Sequence, residues 1–189
     1  MDVLGGCSAG DMVITDVACG GPAIITEHEP PSQTDVRGNF SVALWNICSI
    51  KNGGLEGSLQ EMESLGVNIG ILQETKLTKG IYTRHYSNYS GIATDANSVS
   101  HGRVALVWRD NNRFKVKEVK KHGPNVLTFQ LVTGWDHFFI VGAYIPPSDL
   151  NVLEEVTKAW QQCPNGCLPI FVGDQMTTWN HPWVMKEAW

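Results

Sequence analysis

Four apolar runs in this chain each carry a polar residue where the run gives way to loop-like sequence. Residues 40–48 contain Asn46, residues 67–73 are followed by Glu74, residues 137–144 end on Tyr144, and residues 168–172 lead through Gly173 into Asp174. Short apolar stretches bounded by turn-forming residues read as buried strands. Between the first two, Leu55, Leu59, Met62 and Leu65 recur at helical spacing, and Gly66 follows where a left-handed cap would stop a helix. Strand, helix and strand in succession predict an α/β layer. Loops beyond strand ends of such layers carry ligand and catalytic groups on a rigid scaffold, so the four polar residues are candidates for one shared site.

The same reading organises the rest of the chain. Residues 104–108, 114–119, 126–132 and 137–144 are strand-like and separated by Asn111-Asn112, Gly123-Pro124 and Gly134, which predicts an antiparallel meander. Pro146-Pro147 stops the last of these strands, and Ser148 is a candidate cap for a helix whose apolar face would be Leu153, Val156 and Trp160. Residues 1–38 break into short apolar pieces between glycines and prolines and predict a flexible leader. The expected domain runs over residues 39–178, with residues 179–189 as an unrelated tail carrying three tryptophans. Exposed, that tail would be sticky.

The formal charge is −5, but residues 1–38 hold six acids against the single Arg37, so the remaining 13 acids and 13 Lys/Arg cancel. A neutral body gives no general phosphate affinity, and nucleic-acid binding would need a metal or a local patch. Arg109, Arg113, Lys115 and Lys117 are the candidate patch. Alternation puts Lys115 and Lys117 on one face, which a solvated antiparallel strand would show equally. No apolar run is long enough to span a bilayer, and Met1-Asp2 begins without the basic segment of a secretory signal, so the expected location is intracellular, nucleus or cytoplasm. Five cysteines, an odd number without a paired CxxC arrangement, predict reduced thiols, and Cys163-Pro-Asn-Gly-Cys167 reads as a turn between helix and strand rather than a metal grip.

The four strand-end residues suit a hard cation and a phosphate. Glu74 is a natural oxygen ligand for Mg²⁺, and Asp174 is suited to the same ion or to orienting a water. Asn46 offers an amide to a cation or a phosphate oxygen, and Tyr144 offers a phenol that can donate to a phosphate whose charge rises in the transition state. Taken singly, each reads better as an ordinary strand-end or loop residue; their joint occurrence is what points to phosphodiester hydrolysis.

The wording around them resembles a known family. Leu44-Trp45-Asn46-Ile47 looks like the first motif of the endonuclease/exonuclease/phosphatase superfamily, Ile71-Leu72-Gln73-Glu74-Thr75-Lys76-Leu77 like its metal-binding QE(T/S) motif, and Gly142-Ala143-Tyr144-Ile145-Pro146-Pro147 like its tyrosine motif. The run from Gly102 to Trp108 is similar to the glycine-led middle strand, and Pro169-Ile170-Phe171-Val172-Gly173-Asp174 to the run leading into GDFN. Their order and spacing over residues 40–178 resemble the apurinic-endonuclease-like domain of LINE-type (non-LTR) retrotransposons. The resemblance implies a four-layer α/β sandwich, two mixed sheets flanked by helices, and Mg²⁺-dependent (or Mn²⁺-dependent) nicking of DNA, with a reverse-transcriptase module in the parent element. It implies Asn46 and Glu74 at the metal, Tyr144 on the scissile phosphate, and Asp174 aligning the attacking water.

Two departures set a further expectation. Gln175-Met176 stands where the family has an asparagine two positions after the aspartate, and a thioether cannot replace an amide. The sequence reaches Trp189 without the family's later strands or its terminal Ser-Asp-His motif, and His181, seven residues beyond Asp174, reads as a surface histidine. The expectation is therefore a partial sandwich whose nuclease activity is weak or absent. The alternatives are a non-catalytic nucleic-acid-binding remnant and an unselected retroelement fragment.

Overall fold

The computed structural model describes residues 12–17, 40–48, 54–76, 84–86, 88–94, 103–110, 113–134, 136–146, 149, 151–175 and 183–185. Two mixed sheets stack face to face. Among the described residues the first has six strands in the order β1 (Val13–Val17), β2 (Phe40–Asn46), β3 (Ile69–Gln73), β6 (Val104–Arg109), β5 (Tyr89–Ala93), β4 (Arg84–Tyr86). Among the same residues the second has five, in the order β11 (Trp183–Met185), β10 (Leu168–Gln175), β9 (His137–Ile145), β8 (Val126–Thr133), β7 (Phe114–Lys121). Helix α1 (Gly54–Ser64) joins β2 to β3, and helix α2 (Asn151–Trp160) joins β9 to β10.

Period-two alternation sorts the central strands between two cores, while β7 turns Lys115 and Lys117 to solvent. Val42, Leu44, Ile69, Ile71, Val104 and Leu106 of the first sheet meet Leu127, Phe129, Leu131, Ile140 and Ile170 of the second. The intervening residues Ala43, Leu72, Ala105 and Val107 face α1 through Leu59 and Met62. Phe139, Val141, Ala143 and Phe171 face α2 through Val152 and Ala159. The result is the expected α/β/β/α layering. At one end of the sandwich the sheets are closed by an edge-to-face pair, Phe40 against Phe138 with ring centroids 5.1 Å apart.

Each sheet contains one parallel pair, β2 with β3 and β9 with β10, because a helical crossover returns the chain to the starting edge. Gly66 at φ 68° ends α1 as expected, with Val67 N donating to Met62 O at 2.8 Å.

Several expectations need correcting. Residues 104–108 do not continue the meander: β6 pairs antiparallel with β3 in the first sheet, and only β7, β8 and β9 form the meander. A strand buried on both sides carries no mark of which sheet owns it. The expected leader contributes β1, which pairs antiparallel with β2 from Val13 opposite Leu44 to Val17 opposite Phe40. The expected tail contributes β11, paired antiparallel with β10. Leu153 is 40% exposed; the face that meets the sheet is Val152, Val156, Ala159 and Trp160, so Val156 and Trp160 pack as expected and Val152 takes the place of Leu153. Asp149 supplies the cap, its Oδ1 accepting from Asn151 N at 3.2 Å. Cys48 is disulfide-bonded, which an odd count of cysteines still allows, and Cys163 and Cys167 are free. These two flank the expected turn, with Cys167 N donating to Pro164 O at 3.1 Å. Ser148, Met176 and His181 lie outside the described residues.

Gly123 is needed where α2 crosses the turn before β8. Its φ is 148°, and a Cβ there would lie 2.4 Å from Glu155 Oε2. Burial, then the negative charge of Asp149, pushes the Glu155 carboxyl above its ordinary range, partly opposed by Lys158. Its buried Oε2 has no hydrogen-bond partner among the described residues. A raised folded value means that Glu155 favours folding below the unfolded carboxylate range and loses that contribution as pH rises through the folded value. Glu155→Gln is therefore expected to raise the melting temperature at pH 8 and to give a shrinking difference toward pH 4, as read by thermal unfolding across that range.

Candidate active site

The parallel pairs explain why residues far apart in sequence meet. Strands β2 and β3 end at one edge of the first sheet, where Asn46 pairs in register with Gln73 and Glu74 follows directly. Strands β9 and β10 end at the facing edge of the second sheet, where Tyr144 pairs in register with Asp174. Because the sheets are stacked, the two edges face each other, and β3 packs on β9.

Glu74 is the meeting point. Its Oε1 accepts from Tyr144 OH at 2.7 Å, across the two sheets, and from Asn46 Nδ2 at 3.1 Å, within its own sheet. Asn46 is held in turn by its Oδ1, which accepts from Cys48 N at 3.1 Å. Glu74 Oε2 has only Lys76 Nζ nearby among the described residues, at 3.8 Å. The carboxylate is 12% exposed and the tyrosine 4%, so the pair is shielded yet open on one side. Dry surroundings strengthen such a hydrogen bond and make an unpaired partner costly.

The backbone around the site is strained. Cys48 (φ 55°), Glu74 (φ 51°), Lys76 (φ 51°) and Arg103 (φ 92°) are non-glycine residues with positive φ. Each such residue costs on the order of 1–3 kcal/mol and persists only where its surroundings fix it. Here the fixing bonds include Thr75 N to Arg103 O at 3.4 Å and Arg103 N to Asn125 Oδ1 at 2.8 Å. Burial lowers the pKa of the Arg103 guanidinium from its ordinary value.

Among the described residues no group of three or more His, Cys, Asp or Glu side chains comes together as a metal cluster. The donors present still fit Mg²⁺, which commonly takes one or two protein carboxylates and keeps several waters. Glu74 Oε2 is an available oxygen, and the amide oxygen of Asn46, which accepts from Cys48 N, keeps a second lone pair. The Asn46 Nδ2 meanwhile braces the carboxylate.

The candidate basic patch lies elsewhere. Trp108 pairs with Ile69 at the start of β3, roughly 13 Å along the strand from Gln73 at about 3.3 Å per residue. Arg109, Lys115 and Lys117 join Trp108, Asp110 and Phe114 in lining a cleft of ≈ 300 Å³ at that end of the sandwich. Arg113 is exposed beside it, and Arg109 contacts Glu63 at 3.9 Å. These cations do not face Glu74.

Sequence reasoning missed two residues of the site edge. Gln73 was read as the end of an apolar run, yet its side chain is 1% exposed and its Nε2 donates to Ala143 O, in the other sheet, at 2.8 Å. Asn125, between the Gly123-Pro124 turn and β8, was not singled out, although it is buried and its backbone carbonyl accepts from Tyr144 N at 2.9 Å. The signal for Gln73 was present: the inward positions of β3 are Ile69, Ile71 and then a polar amide.

No protein-family model and no curated protein matches the sequence. Solved structures do. The endonuclease domain of TRAS1, a telomere-specific non-LTR retrotransposon, is similar over 70% of this chain and 57% of its own, at TM-score 0.53 and 17% identity. A humanized D. rerio TDP2 is similar over 72% of this chain and 66% of its own, at TM-score 0.49 and 15% identity. The human Nocturnin catalytic domain is similar over 75% and 66%, at TM-score 0.47 and 17% identity. The chain thus spans little more than half the length of the retrotransposon endonuclease it matches. With two mixed sheets between two helices and this structural likeness, the chain has the endonuclease/exonuclease/phosphatase fold.

Proposed function

We propose that this chain is a metal-dependent phosphodiesterase acting on DNA, with Glu74 as the carboxylate ligand of Mg²⁺ or Mn²⁺. The observation that carries the reading is the convergence of Asn46 and Tyr144 on one oxygen of Glu74 from two different sheets. A bound divalent ion would supply charge stabilisation to the phosphate. Asn46 holds Glu74 in the orientation that leaves Oε2 outward. Tyr144 keeps its phenol at the carboxylate and can turn it to a phosphate oxygen as negative charge develops there. Asp174, beside Tyr144 in register, is the candidate for orienting the attacking water. The retrotransposon-like motifs and the likeness to the TRAS1 endonuclease domain support DNA and a target-nicking role alongside a reverse transcriptase. Met176 in place of an asparagine supports a rate below that of a complete site.

The test is nicking of supercoiled plasmid. Wild-type chain is expected to nick with Mg²⁺ and to stop when EDTA is added. Tyr144→Phe, which removes one hydrogen-bond donor and leaves the ring, is expected to lower the rate about 10- to 100-fold. EDTA-resistant cleavage, or a Tyr144→Phe protein as fast as wild type, would refute the assignment.

A further inference from the structure

Glu74 and Tyr144 belong to different sheets and are separated by 70 positions in the chain. What lies between the sheets behind them is apolar: Leu44, Ile71, Leu127 and Ile140. Apolar contact is non-directional and tolerates a small slide of one sheet over the other. A hydrogen bond of 2.7 Å does not, because its strength falls steeply with distance and angle. Something directional must therefore fix the two site edges.

Two buried amides do so, one on each side of the Glu74–Tyr144 contact. Gln73 precedes Glu74 and donates from Nε2 to the carbonyl of Ala143, which precedes Tyr144, at 2.8 Å. Asn125 closes the other side. Its carbonyl accepts from Tyr144 N at 2.9 Å, and its side-chain Oδ1 accepts from Arg103 N at 2.8 Å. The Arg103 carbonyl accepts from Thr75 N at 3.4 Å, and Thr75 follows Glu74. A buried amide is costly unless partnered, and an aliphatic side chain at position 73 would extend the Ile69, Ile71 pattern at lower cost. We propose that Gln73 and Asn125 are positioning residues that hold the Glu74 carboxylate and the Tyr144 phenol at catalytic separation. This rests on the phosphodiesterase reading given above.

The experiment is a pair of double-mutant cycles on the full chain, crossing Gln73→Met with Tyr144→Phe, and Asn125→Leu with Tyr144→Phe. Misplacement by about 1 Å costs up to roughly 100-fold in rate, so each amide variant is expected to lower kcat about 10- to 100-fold with little change in KM. Combined with Tyr144→Phe, neither should lower kcat much further. Asn125→Asp retains the acceptor for Arg103 N and is expected to keep most activity. If either near-isosteric variant fails to fold, the other cycle carries the test. Additive losses in kcat overturn the inference, because a merely structural amide would not care whether Tyr144 keeps its hydroxyl. The same cycles are read in urea unfolding without substrate. Should wild type show no metal-dependent nicking, the functional reading fails alone, and the unfolding cycle decides the positioning claim: coupling sustains it and additivity overturns it.

Discussion

Glu74→Gln is expected to abolish metal-dependent nicking, by about 10³-fold, while leaving the fold intact, because the two quantities depend on different parts of the same side chain. The structural role of Glu74 is to accept from Tyr144 OH and Asn46 Nδ2 through Oε1. A glutamine carbonyl at the same place can still accept, and the positive φ is no harder for glutamine than for glutamate. The contact of Oε2 with Lys76 is long and partly exposed, so its loss costs no more than about 1 kcal/mol. What disappears is the negative charge and, with it, the oxygen that would hold the cation. Several kcal/mol of transition-state stabilisation depend on such an ion, and about 1.4 kcal/mol is tenfold in rate. Rates should be measured at saturating Mg²⁺ and again with Mn²⁺, alongside the melting temperature. A variant within fivefold of wild type at every metal concentration would remove Glu74 from the chemistry. One that has simply unfolded would show it in the melt.

How much of this was readable in advance depended on whether the information was local. Asn46, Glu74 and Tyr144 stood out because each puts a polar group at or beside the end of an apolar run. The helix between β2 and β3 was readable for the same reason, with Gly66 marking its stop. Sheet membership was not local. Val104–Arg109 has the same texture as the strands of the meander, and nothing in its own residues marks its pairing with β3 rather than β7. Val13–Val17 is five residues long and pairs with a strand more than twenty positions away, so nothing beside it announced an edge strand. Gln73 and Asn125 were hidden differently. Each looks like an ordinary terminus or turn residue in sequence, and its meaning lies in a partner on the opposite sheet. Lys115 and Lys117 of β7 are exposed, and their distance from Glu74 could be known only once β6 and β7 were placed.

Phe129→Ala is expected to be the most damaging single truncation for stability, at about 3–5 kcal/mol. Phe129 lies at the centre of β8, is 0% exposed and sits in the core between the sheets, in register with Ile140 of β9. Its removal takes away the transfer free energy of a phenyl ring and leaves a cavity that two hydrogen-bonded sheets cannot close by collapsing. Domains of this size are stable by about 5–15 kcal/mol, so the loss is a large share of the total. In urea it should lower the unfolding midpoint by roughly 2 M, given a slope of about 2 kcal/mol per M, with the slope unchanged. Leu153→Ala is the control: the same kind of truncation at a side chain 40% exposed should move the midpoint little. The site lies at the ends of β3 and β9, several residues from Phe129 along the sheet, so any activity lost by Phe129→Ala should follow the unfolded fraction and return when an osmolyte restores folding. A midpoint shift no larger than that of Leu153→Ala would mean that the two sheets are not held together by the core between them, and the argument that polar bridges need only fix their alignment would fail with it.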